Sequence, residues 1–215
     1  MEFDEVVRRR RMVRNYDPDR PVPADVLDKI VRHGLRAPSA GFSQGWGFLV
    51  LREPADRDRY WSSTTEDDLV EPVWKGDWLT RMRNAPVLIV CLANKSVYLE
   101  RYAQPDKGWT DRDEAHWPVP YWDIDTGFAA LLMHLSAVDE GLGSCFFGLP
   151  VTAVQNFKDA FGVPAEFNPI GTLSIGYRAP DKRSPSLKRG HRPVDDVVHH
   201  GRWATPDPSR SAGAE

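Results

Sequence analysis

The stretch from Tyr121 to Gly141 constrains the fold more than any other feature, because it predicts a long helix with few polar positions. Large apolar residues share one side of this helix at helical spacing, namely Phe128, Leu131, Leu132, Leu135 and Val138. Other faces carry Ala129, Ala130 and Ala137. A helix that is apolar nearly all round must be covered, either at the centre of its own fold or by a second subunit. We expect the leucine-rich side to pack in the core.

Apolar runs elsewhere in the chain predict strands that accompany this helix. The clearest run is Pro86–Leu92, which is continuous and rich in β-branched residues, and is therefore expected to be buried on both faces. Further strands are predicted at Gly47–Leu51, which we expect to be buried, at Ser144–Gly148 and at Ile170–Tyr177. Helices are predicted at Asp4–Arg11, Pro23–Ala37, Arg52–Tyr60 (short and polar) and Val151–Phe161. This mixture predicts an α+β or α/β sandwich.

Length and charge limit the classes of protein to which the chain can belong. With 215 residues it fits one α/β domain, and its net charge of −3 provides no field that would hold nucleic acid. It has no apolar run of membrane-spanning length and no secretory h-region, so we expect a cytoplasmic protein without membrane contact. Cys91 and Cys145 are expected to be buried free thiols, and the histidine spacing predicts no metal site.

A cluster of arginines near the N-terminus predicts an anion-binding segment. Residues 8–16 read Arg-Arg-Arg-Arg-Met-Val-Arg-Asn-Tyr, which places five arginines at the end of a short first helix. A run of arginines is often only a solvated face, and that interpretation is favoured for Arg8 and Arg9. For Arg10 and Arg14 we favour contact with a cofactor, because guanidinium groups bind phosphate through paired hydrogen bonds.

A second cluster follows roughly 25 residues later and predicts a loop that contacts the same cofactor. Residues 37–44 read Ala-Pro-Ser-Ala-Gly-Phe-Ser-Gln and run into an apolar strand. Small residues and free backbone donors suit a flat, polar ligand. Ser39 could also do no more than end the preceding helix. Together the two clusters predict a bound phosphorylated cofactor.

Four segments, in this order, resemble motifs of the nitroreductase-like flavoprotein family. They are residues 10–16, 37–46, 141–149 and 192–199. The chain departs from the family pattern at three positions, with Met12 in place of a serine, Phe42 where asparagine is common and Gly45 where proline is usual. Residues 54–120 match no motif of the family and form a variable, aromatic-rich region.

This resemblance implies the fold and the assembly. It implies an α+β sandwich in which helices flank a central mixed, mainly antiparallel sheet, in a domain-swapped homodimer. Residues 1–203 would form a single domain, and the Pro-, Ser- and Ala-rich residues 204–215 are expected to be a disordered tail.

The resemblance also implies FMN as the cofactor and assigns roles to individual residues. Arg10 and Arg192 would hold the phosphate, Arg14 would reach the pyrimidine end of the ring, and the Phe147–Gly148 turn would offer backbone N–H groups. The full expected set of cofactor-binding residues is Arg10, Arg11, Met12, Arg14, Pro38, Ser39, Ala40, Gln44, Phe147, Gly148, Arg189 and Arg192. No catalytic side chain is expected, because the flavin carries the chemistry.

The function implied is that of an FMN-dependent oxidoreductase working by a ping-pong mechanism. It would pass two electrons from NADH or NADPH to a nitroaromatic, a quinone or another conjugated acceptor. Two alternatives remain open: a flavin-binding protein without nicotinamide-dependent turnover, and a flavoenzyme of the same fold with another reductant such as a deazaflavin. A basic-arm nucleic-acid binder is disfavoured by the acidic overall charge.

Residues 74–122 concentrate tryptophan and tyrosine, and two interpretations of them remain open. The aromatic residues are Trp74, Trp78, Tyr98, Tyr102, Trp109, Trp117, Tyr121 and Trp122. They could pack as an extra layer over the sheet. Alternatively Phe42, Trp117, Tyr121 and Trp122 line the pocket for the acceptor, because an aromatic wall over a flavin suits an apolar or aromatic substrate.

Overall fold

A four-stranded antiparallel sheet forms the centre of the described part of the chain. In the computed structural model the described residues are 1–65, 76–181 and 184–203. The strands are β1 (Trp46–Leu51), β2 (Val87–Asn94), β3 (Gly143–Phe147) and β4 (Phe167–Gly176), in the spatial order β1-β2-β4-β3. Every neighbouring pair is antiparallel. The predicted α+β class and a strand in each of the four predicted regions are therefore confirmed.

Helices cover both faces of this sheet. They are α1 (Phe3–Arg9), α2 (Ala24–Gly34), α3 (Pro54–Thr65), α4 (Asp77–Arg83), α5 (Lys95–Tyr102), α6 (Tyr121–Asp139) and α7 (Val154–Phe161). Short 3₁₀ turns occur at Ala40–Phe42, Glu114–His116, Val151–Ala153, Pro185–Arg189 and Val194–Asp196. The predicted helices are all present, although the last one opens with the 3₁₀ turn at Val151–Ala153 before α7 begins.

Strand β2 separates two hydrophobic cores, because its alternate side chains enter opposite faces of the sheet. Leu88 and Val90 pack on one side with residues of α3 and α7. Ile89 and Cys91 pack on the other side with residues of α2 and α6. All eight residues of β2 are buried, which confirms a strand buried on both faces.

Two predictions made from short segments were wrong in detail. Strand β1 was expected to be buried, but it lies at the edge of the sheet beside β2 alone, and most of its residues are only half-buried. Helix α3 was expected to be short and polar, but it continues to Thr65 and buries Tyr60 and Trp61. Tyr60 is the last residue of the segment that was predicted to be a polar helix, and Trp61 lies just beyond it.

Helix α6 confirms its predicted length but packs mainly through residues outside the predicted leucine-rich side. Its buried residues include the alanines together with Met133, His134 and Val138, and it lies so close to α2 that a Cβ added at Gly34 would stand 2.6 Å from the Met133 Cγ. Phe128 and Leu131 are 45% and 49% exposed. The expectation that the leucine-rich side packs in the core was therefore wrong for Phe128 and Leu131, whereas Val138 is buried as expected and Leu132 and Leu135 are half-buried. The alanines allow the close approach of the two helices.

The chain divides into two compact units, residues 1–181 and 182–215. The first contains the sheet and all seven described helices. The second, described over residues 184–203, consists of 3₁₀ turns and carries exposed apolar side chains such as Val194 and Trp203. A single domain over residues 1–203 stays a prediction, and the predicted disordered tail 204–215 lies outside the described residues. None of the helices in the described ranges is long and apolar enough to cross a membrane.

Candidate cofactor-binding site

The arginine segment is fixed against the outer edge of the sheet. After α1 ends at Arg9, Met12 forms a parallel bridge with Ser144 of β3, and the Val13 N–H donates to the Ser144 carbonyl oxygen at 3.0 Å. The Val13 side chain is completely buried. This edge of β3 is free of other strands within the described sheet, so the segment closes it.

Tyr16 holds the far end of the same segment. It is completely buried, and its hydroxyl donates to the Val13 carbonyl oxygen at 2.7 Å. Burial raises the pKa of Tyr16 well above its usual value, so the hydroxyl stays protonated. The backbone that carries Arg10, Arg11 and Arg14 is thus anchored at both Val13 and Tyr16.

The arginines of this segment differ in exposure. Arg10 and Arg14 are half-buried, whereas Arg8, Arg9 and Arg11 are exposed. Arg9 forms a salt bridge with Glu5 at 2.5 Å. Within the described ranges, neither Arg10 nor Arg14 forms a side-chain salt bridge with a carboxylate. The arrangement therefore leaves cationic groups beside β3 that an anion could bind.

Arg178 adds a further guanidinium to this edge, and sequence reasoning missed it. Its Nη2 donates to the Leu142 carbonyl oxygen at 3.4 Å, and its Cγ lies where a Cβ added at Gly143 would be only 2.8 Å away. The pKa of Arg178 is lowered, first by burial of the group and then by the charges of Arg11 and Arg9. Its only sequence signal is a basic residue directly after the last core strand, which is too common to be informative.

His134 lies beneath the same edge and was also missed. It is 3% exposed, its Nδ1 is hydrogen-bonded to the Ser144 Oγ, and its Nε2 is buried without a hydrogen-bond partner in the described residues. Burial, together with the positive charges of Arg10 and Arg178, lowers the pKa of His134 to about 4. His134 is therefore neutral at pH 7. Its position in the apolar pattern of α6 gave no sign of this role.

The loop of residues 37–44 is anchored by a buried carboxylate. Asp125 of α6 is 3% exposed, and its Oδ2 accepts hydrogen bonds from the Ala40 N–H at 2.8 Å and from the Tyr98 hydroxyl at 2.9 Å. Burial and the neighbouring Asp125 raise the pKa of Tyr98 far above its usual value, so the phenol remains a donor. Asp125 therefore ties the loop to both α5 and α6.

Two further contacts fix the conformation of this loop. The Ser39 Oγ accepts a hydrogen bond from the Gln44 N–H at 3.0 Å, which closes the loop on itself. Arg101 donates from Nε to the Gly41 carbonyl oxygen at 3.0 Å, and Asp106 holds its guanidinium through two hydrogen bonds of 2.7 Å. Ser39 thus acts within the loop itself.

The backbone of this loop is left-handed at three positions. The φ angles are +61° at Gly41, +54° at Phe42 and +52° at Gln44. A Cβ added at Gly41 would stand 2.7 Å from the Tyr102 ring, so only glycine fits there without movement of that ring. Phe42 is 76% exposed despite its size and its strained backbone.

The turn after β3 leaves room for a ligand. The Phe147 ring is buried, stacked on Trp61 with centroids 5.9 Å apart and packed edge-on against Trp78 at 5.8 Å. Gly148 is exposed, and a Cβ added there would meet no atom within 4 Å. The Phe147 ring is thus held inside, while Gly148 next to it is exposed.

The cysteines have the properties predicted for them. Cys91 and Cys145 are free and buried. Burial raises the pKa of Cys91 to about 12 and that of Cys145 to about 11, so neither thiol ionises near neutral pH. The interpretation of Cys145 as an inert core residue is therefore favoured over a redox role.

The aromatic-rich region forms a packed cluster around Trp117. Its ring contacts are with Tyr102 at 4.5 Å, Trp109 at 5.4 Å, Tyr121 at 5.7 Å and both Tyr98 and Trp122 at 6.0 Å. Trp78 packs elsewhere, against Phe147, and Trp74 lies outside the described residues. The aromatic residues of 74–122 therefore do not form one layer. Trp122 is buried, whereas Tyr121 and Phe42 are exposed.

The predicted site residues fall into separate groups in this chain. The arginine segment lies by His134 and the loop lies by Asp125, and these two residues are nine positions apart on α6. Nine residues of helix span about 14 Å. Arg189 and Arg192 belong to the second unit, where Arg192 is exposed and donates from Nη2 to the Asp196 carbonyl oxygen at 3.0 Å.

Comparison with known proteins identifies the family. The sequence profile of the Nitroreductase family matches residues 7–177, which is most of the chain. The chain belongs to the nitroreductase family. This match includes the arginine segment, the loop of residues 37–44 and the Phe147–Gly148 turn, and it ends one residue before Arg178.

Relatives within the nitroreductase family are distant. A protein of Methanothermobacter thermautotrophicus, named provisionally as an NADH dehydrogenase/NAD(P)H nitroreductase, is 25% identical over 206 residues, covering 94% of this chain and 88% of its own length. Iodotyrosine deiodinase 1 of Homo sapiens is 22% identical over 211 residues, covering 92% and 68% respectively. Among solved structures, an FMN-dependent nitroreductase from Clostridium difficile R20291 shares the fold with a TM-score of 0.65 and 23% identity, covering 92% of this chain and 98% of that chain.

Proposed function

We propose that this chain is an FMN-dependent oxidoreductase that takes two electrons from NADH or NADPH and passes them to a nitroaromatic, a quinone or another conjugated acceptor. The observation that carries the proposal is the arginine segment anchored on β3 through Val13 and Tyr16. Membership of the nitroreductase family supports it. The names of two relatives also support it. One is named as an NAD(P)H nitroreductase and the other as a deiodinase, which suits electron transfer to different second substrates.

The residues present fit FMN. A phosphate monoester needs several cationic donors, which Arg10 and Arg11 would supply, and the flavin ring would be bound by Met12 and Arg14. Pro38, Ala40 and Gln44 would line the ring with Ser39, whose Oγ accepts from Gln44 and whose hydrogen is free to donate. The open space at Gly148 allows a planar group to approach the backbone of the turn.

Arg189 and Arg192 remain proposed phosphate ligands on the resemblance of residues 192–199 to the family motif. When bound, FMN supplies the acceptance and delivery of hydride equivalents. A cation at Arg14 would stabilise the negative charge of the reduced ring. The protein's own part is to bind, orient and shield the ring.

A direct test is to purify the protein and measure flavin absorbance, then NADPH and NADH oxidation with a nitroaromatic and a quinone. We expect yellow protein that oxidises at least one of the two nicotinamides in the presence of either acceptor. Protein that stays colourless after incubation with FMN contradicts the cofactor. Bound flavin that neither nicotinamide reduces under anaerobic conditions favours a non-catalytic flavoprotein or another reductant.

Replacement of Arg10 by alanine is expected to yield protein that purifies colourless or loses its flavin on dialysis. Arg10 is half-buried beside β3 and carries no salt bridge within the described ranges, so its charge is available to the phosphate. Arg8→Ala is the matched control, because Arg8 is an exposed residue of α1. Flavin absorbance per protein is the measurement, and full retention of FMN by Arg10→Ala would show that Arg10 is not a phosphate ligand.

We infer that the protein is a homodimer in which α6 lies at the subunit interface. Phe128 and Leu131 present an apolar stripe on a helix that is otherwise packed in the core. The resemblance to the nitroreductase family implies that each flavin would be held by the arginine segment of one subunit and the loop of residues 37–44 of the other. The exposed Val194 and Trp203 suit an arm that packs on a neighbour.

Leu131→Glu is therefore expected to convert the dimer to a monomer and to release the flavin, because it places a charge in the middle of the apolar stripe. Mass by light scattering and flavin absorbance are the measurements. Val151→Glu, at a residue 90% exposed outside α6, serves as the control and should remain dimeric. A wild-type protein of monomeric mass with flavin still bound would contradict the dimer.

A further inference from the structure

Arg178 is joined to the arginine segment through the backbone. Tyr16 and Arg178 form an antiparallel bridge, and the Ala179 N–H donates to the Asn15 carbonyl oxygen at 3.2 Å. The Arg178 Cγ packs against Gly143, and so do the two γ-carbons of Val13: a Cβ added at Gly143 would stand 2.8 Å from the former and 2.9 Å from the latter. Arg178 therefore stands beside Arg10–Arg14 although more than 160 positions separate them in sequence.

The Arg178 guanidinium has donors to spare. A guanidinium carries five N–H groups, and within the described ranges Arg178 uses one of them, on the Leu142 carbonyl oxygen. It forms no salt bridge with a carboxylate there, and the nearby Asp181 accepts the backbone N–H of Arg14 at 2.9 Å. The charges of Arg9 and Arg11 lie close enough to lower the pKa of Arg178.

The interior next to these arginines contains a polar atom that no group of the described residues satisfies. His134 is 97% buried, and its Nε2 has no partner in the described part of the chain. Its other nitrogen is bound to Ser144, the residue that pairs with Met12. An anion bound at this edge would offset the positive charges of these arginines.

We propose that Arg178 forms, with Arg10 and Arg11, a binding site for a phosphate monoester of a nucleotide cofactor, with His134 as the neutral group beneath it. The site rests on the proposed function for the identity of the nucleotide. Two sources carry this chemistry: the 5′-phosphate of FMN and the 2′-phosphate of NADPH. Arg178 lies one residue beyond the segment matched by the family profile.

The first measurement uses inorganic phosphate as the probe. Melting of the full-length protein is followed in phosphate and in chloride at equal ionic strength, for wild type, for Arg178→Gln and for Arg20→Gln. Arg20 is the matched control, because it is an exposed cation that lies over the ring of Tyr177, the residue before Arg178. We expect phosphate to raise the melting temperature of wild type and of Arg20→Gln but not that of Arg178→Gln.

The second measurement separates the two sources. Dissociation constants of FMN and riboflavin are compared by flavin fluorescence, and KM for NADPH is compared with KM for NADH. If FMN is the source, Arg178→Gln weakens FMN roughly tenfold or more, as for the loss of a charge-assisted hydrogen bond, and leaves riboflavin unchanged. If NADPH is the source, the same loss appears in KM for NADPH, while NADH and both flavins are unchanged, and the assignment of Arg10 and Arg11 to the FMN phosphate is then wrong.

Binding of the anion should also be visible at His134. A phosphate beside Arg10 and Arg178 offsets their positive charges, so the pKa of His134, measured by NMR, should rise when phosphate is added. Equal phosphate stabilisation of Arg178→Gln and wild type, or no stabilisation of either, would overturn the site. Absence of flavin binding by wild type together with phosphate stabilisation that needs Arg178 would instead contradict the proposed function and leave the anion site standing.

Discussion

Replacement of Trp117 by alanine is expected to lower the free energy of unfolding by about 3 kcal/mol, as is typical for removal of a large aromatic side chain from a packed cluster. Trp117 contacts five other rings at centroid distances between 4.5 and 6.0 Å. Tyr102, one of those rings, also supports Gly41 in the loop of residues 37–44. Loss of Trp117 should therefore loosen that loop as well. Urea unfolding of wild type and variant measures the change.

The exposed Phe42 is the matched comparison for Trp117. Since its ring is 76% exposed, Phe42→Ala should change stability by less than about 0.5 kcal/mol. If Phe42 and Tyr121 face the acceptor, Phe42→Ala should alter the ratio of turnover for a bulky and a small acceptor. For Trp117 itself, a large loss of stability with an unchanged ratio would contradict a role as a pocket residue. An unchanged stability with an altered ratio would contradict a packing role.

Acidification from pH 6.5 to pH 4 is expected to remove about 3 kcal/mol of stability through His134, at about 1.4 kcal/mol for each pH unit of difference between the folded and unfolded pKa. The pKa of His134 is lowered from 6.5 to about 4 in the folded protein. Between these values the unfolded chain takes up a proton that the folded protein does not. Stability is therefore complete above pH 6.5 and falls as the pH is lowered towards 4.

Urea unfolding at a series of pH values in this range measures the effect. His134→Gln should flatten the dependence, because glutamine can still bond to Ser144 but does not titrate. His33→Gln is the control, since His33 also bonds to a serine, Ser136 at 2.8 Å, but is exposed. A dependence that is as steep in His134→Gln as in wild type would show that another group is responsible.

Patterns that depend on neighbours along the chain predicted much of the fold. The apolar run Pro86–Leu92 identified β2 and its burial on both faces. A continuous run of β-branched residues can be assigned to a buried strand from its own residues, without knowledge of the neighbouring strands. The length of α6 followed from its apolar spacing in the same way. The side of α6 that packs did not follow, since its alanines pack only because Gly34 of α2 allows a close approach.

In the candidate site too, some features could be predicted from local sequence and others could not. The arginine segment and the loop of residues 37–44 were visible because their residue types are contiguous. Their supports were not, because Asp125 lies 85 positions from Ala40 and Arg101 lies 60 positions from Gly41. No local pattern marks residues such as these, whose role arises only where the fold brings them together.

From residue type and short-range periodicity, the sequence by itself determined an α+β or α/β sandwich, the positions of the main strands and helices, and the segments suited to a phosphorylated cofactor. The choice of the α+β class and of a flavin followed from the resemblance to the nitroreductase family. Only the tertiary structure decided which face of α6 is covered, and that Arg178 and His134 join the arginine segment at the edge of β3. The physical reason is that burial and the electrostatic field at a residue depend on groups distant in sequence. For that reason a common arginine and a core histidine become candidates for anion binding only after folding.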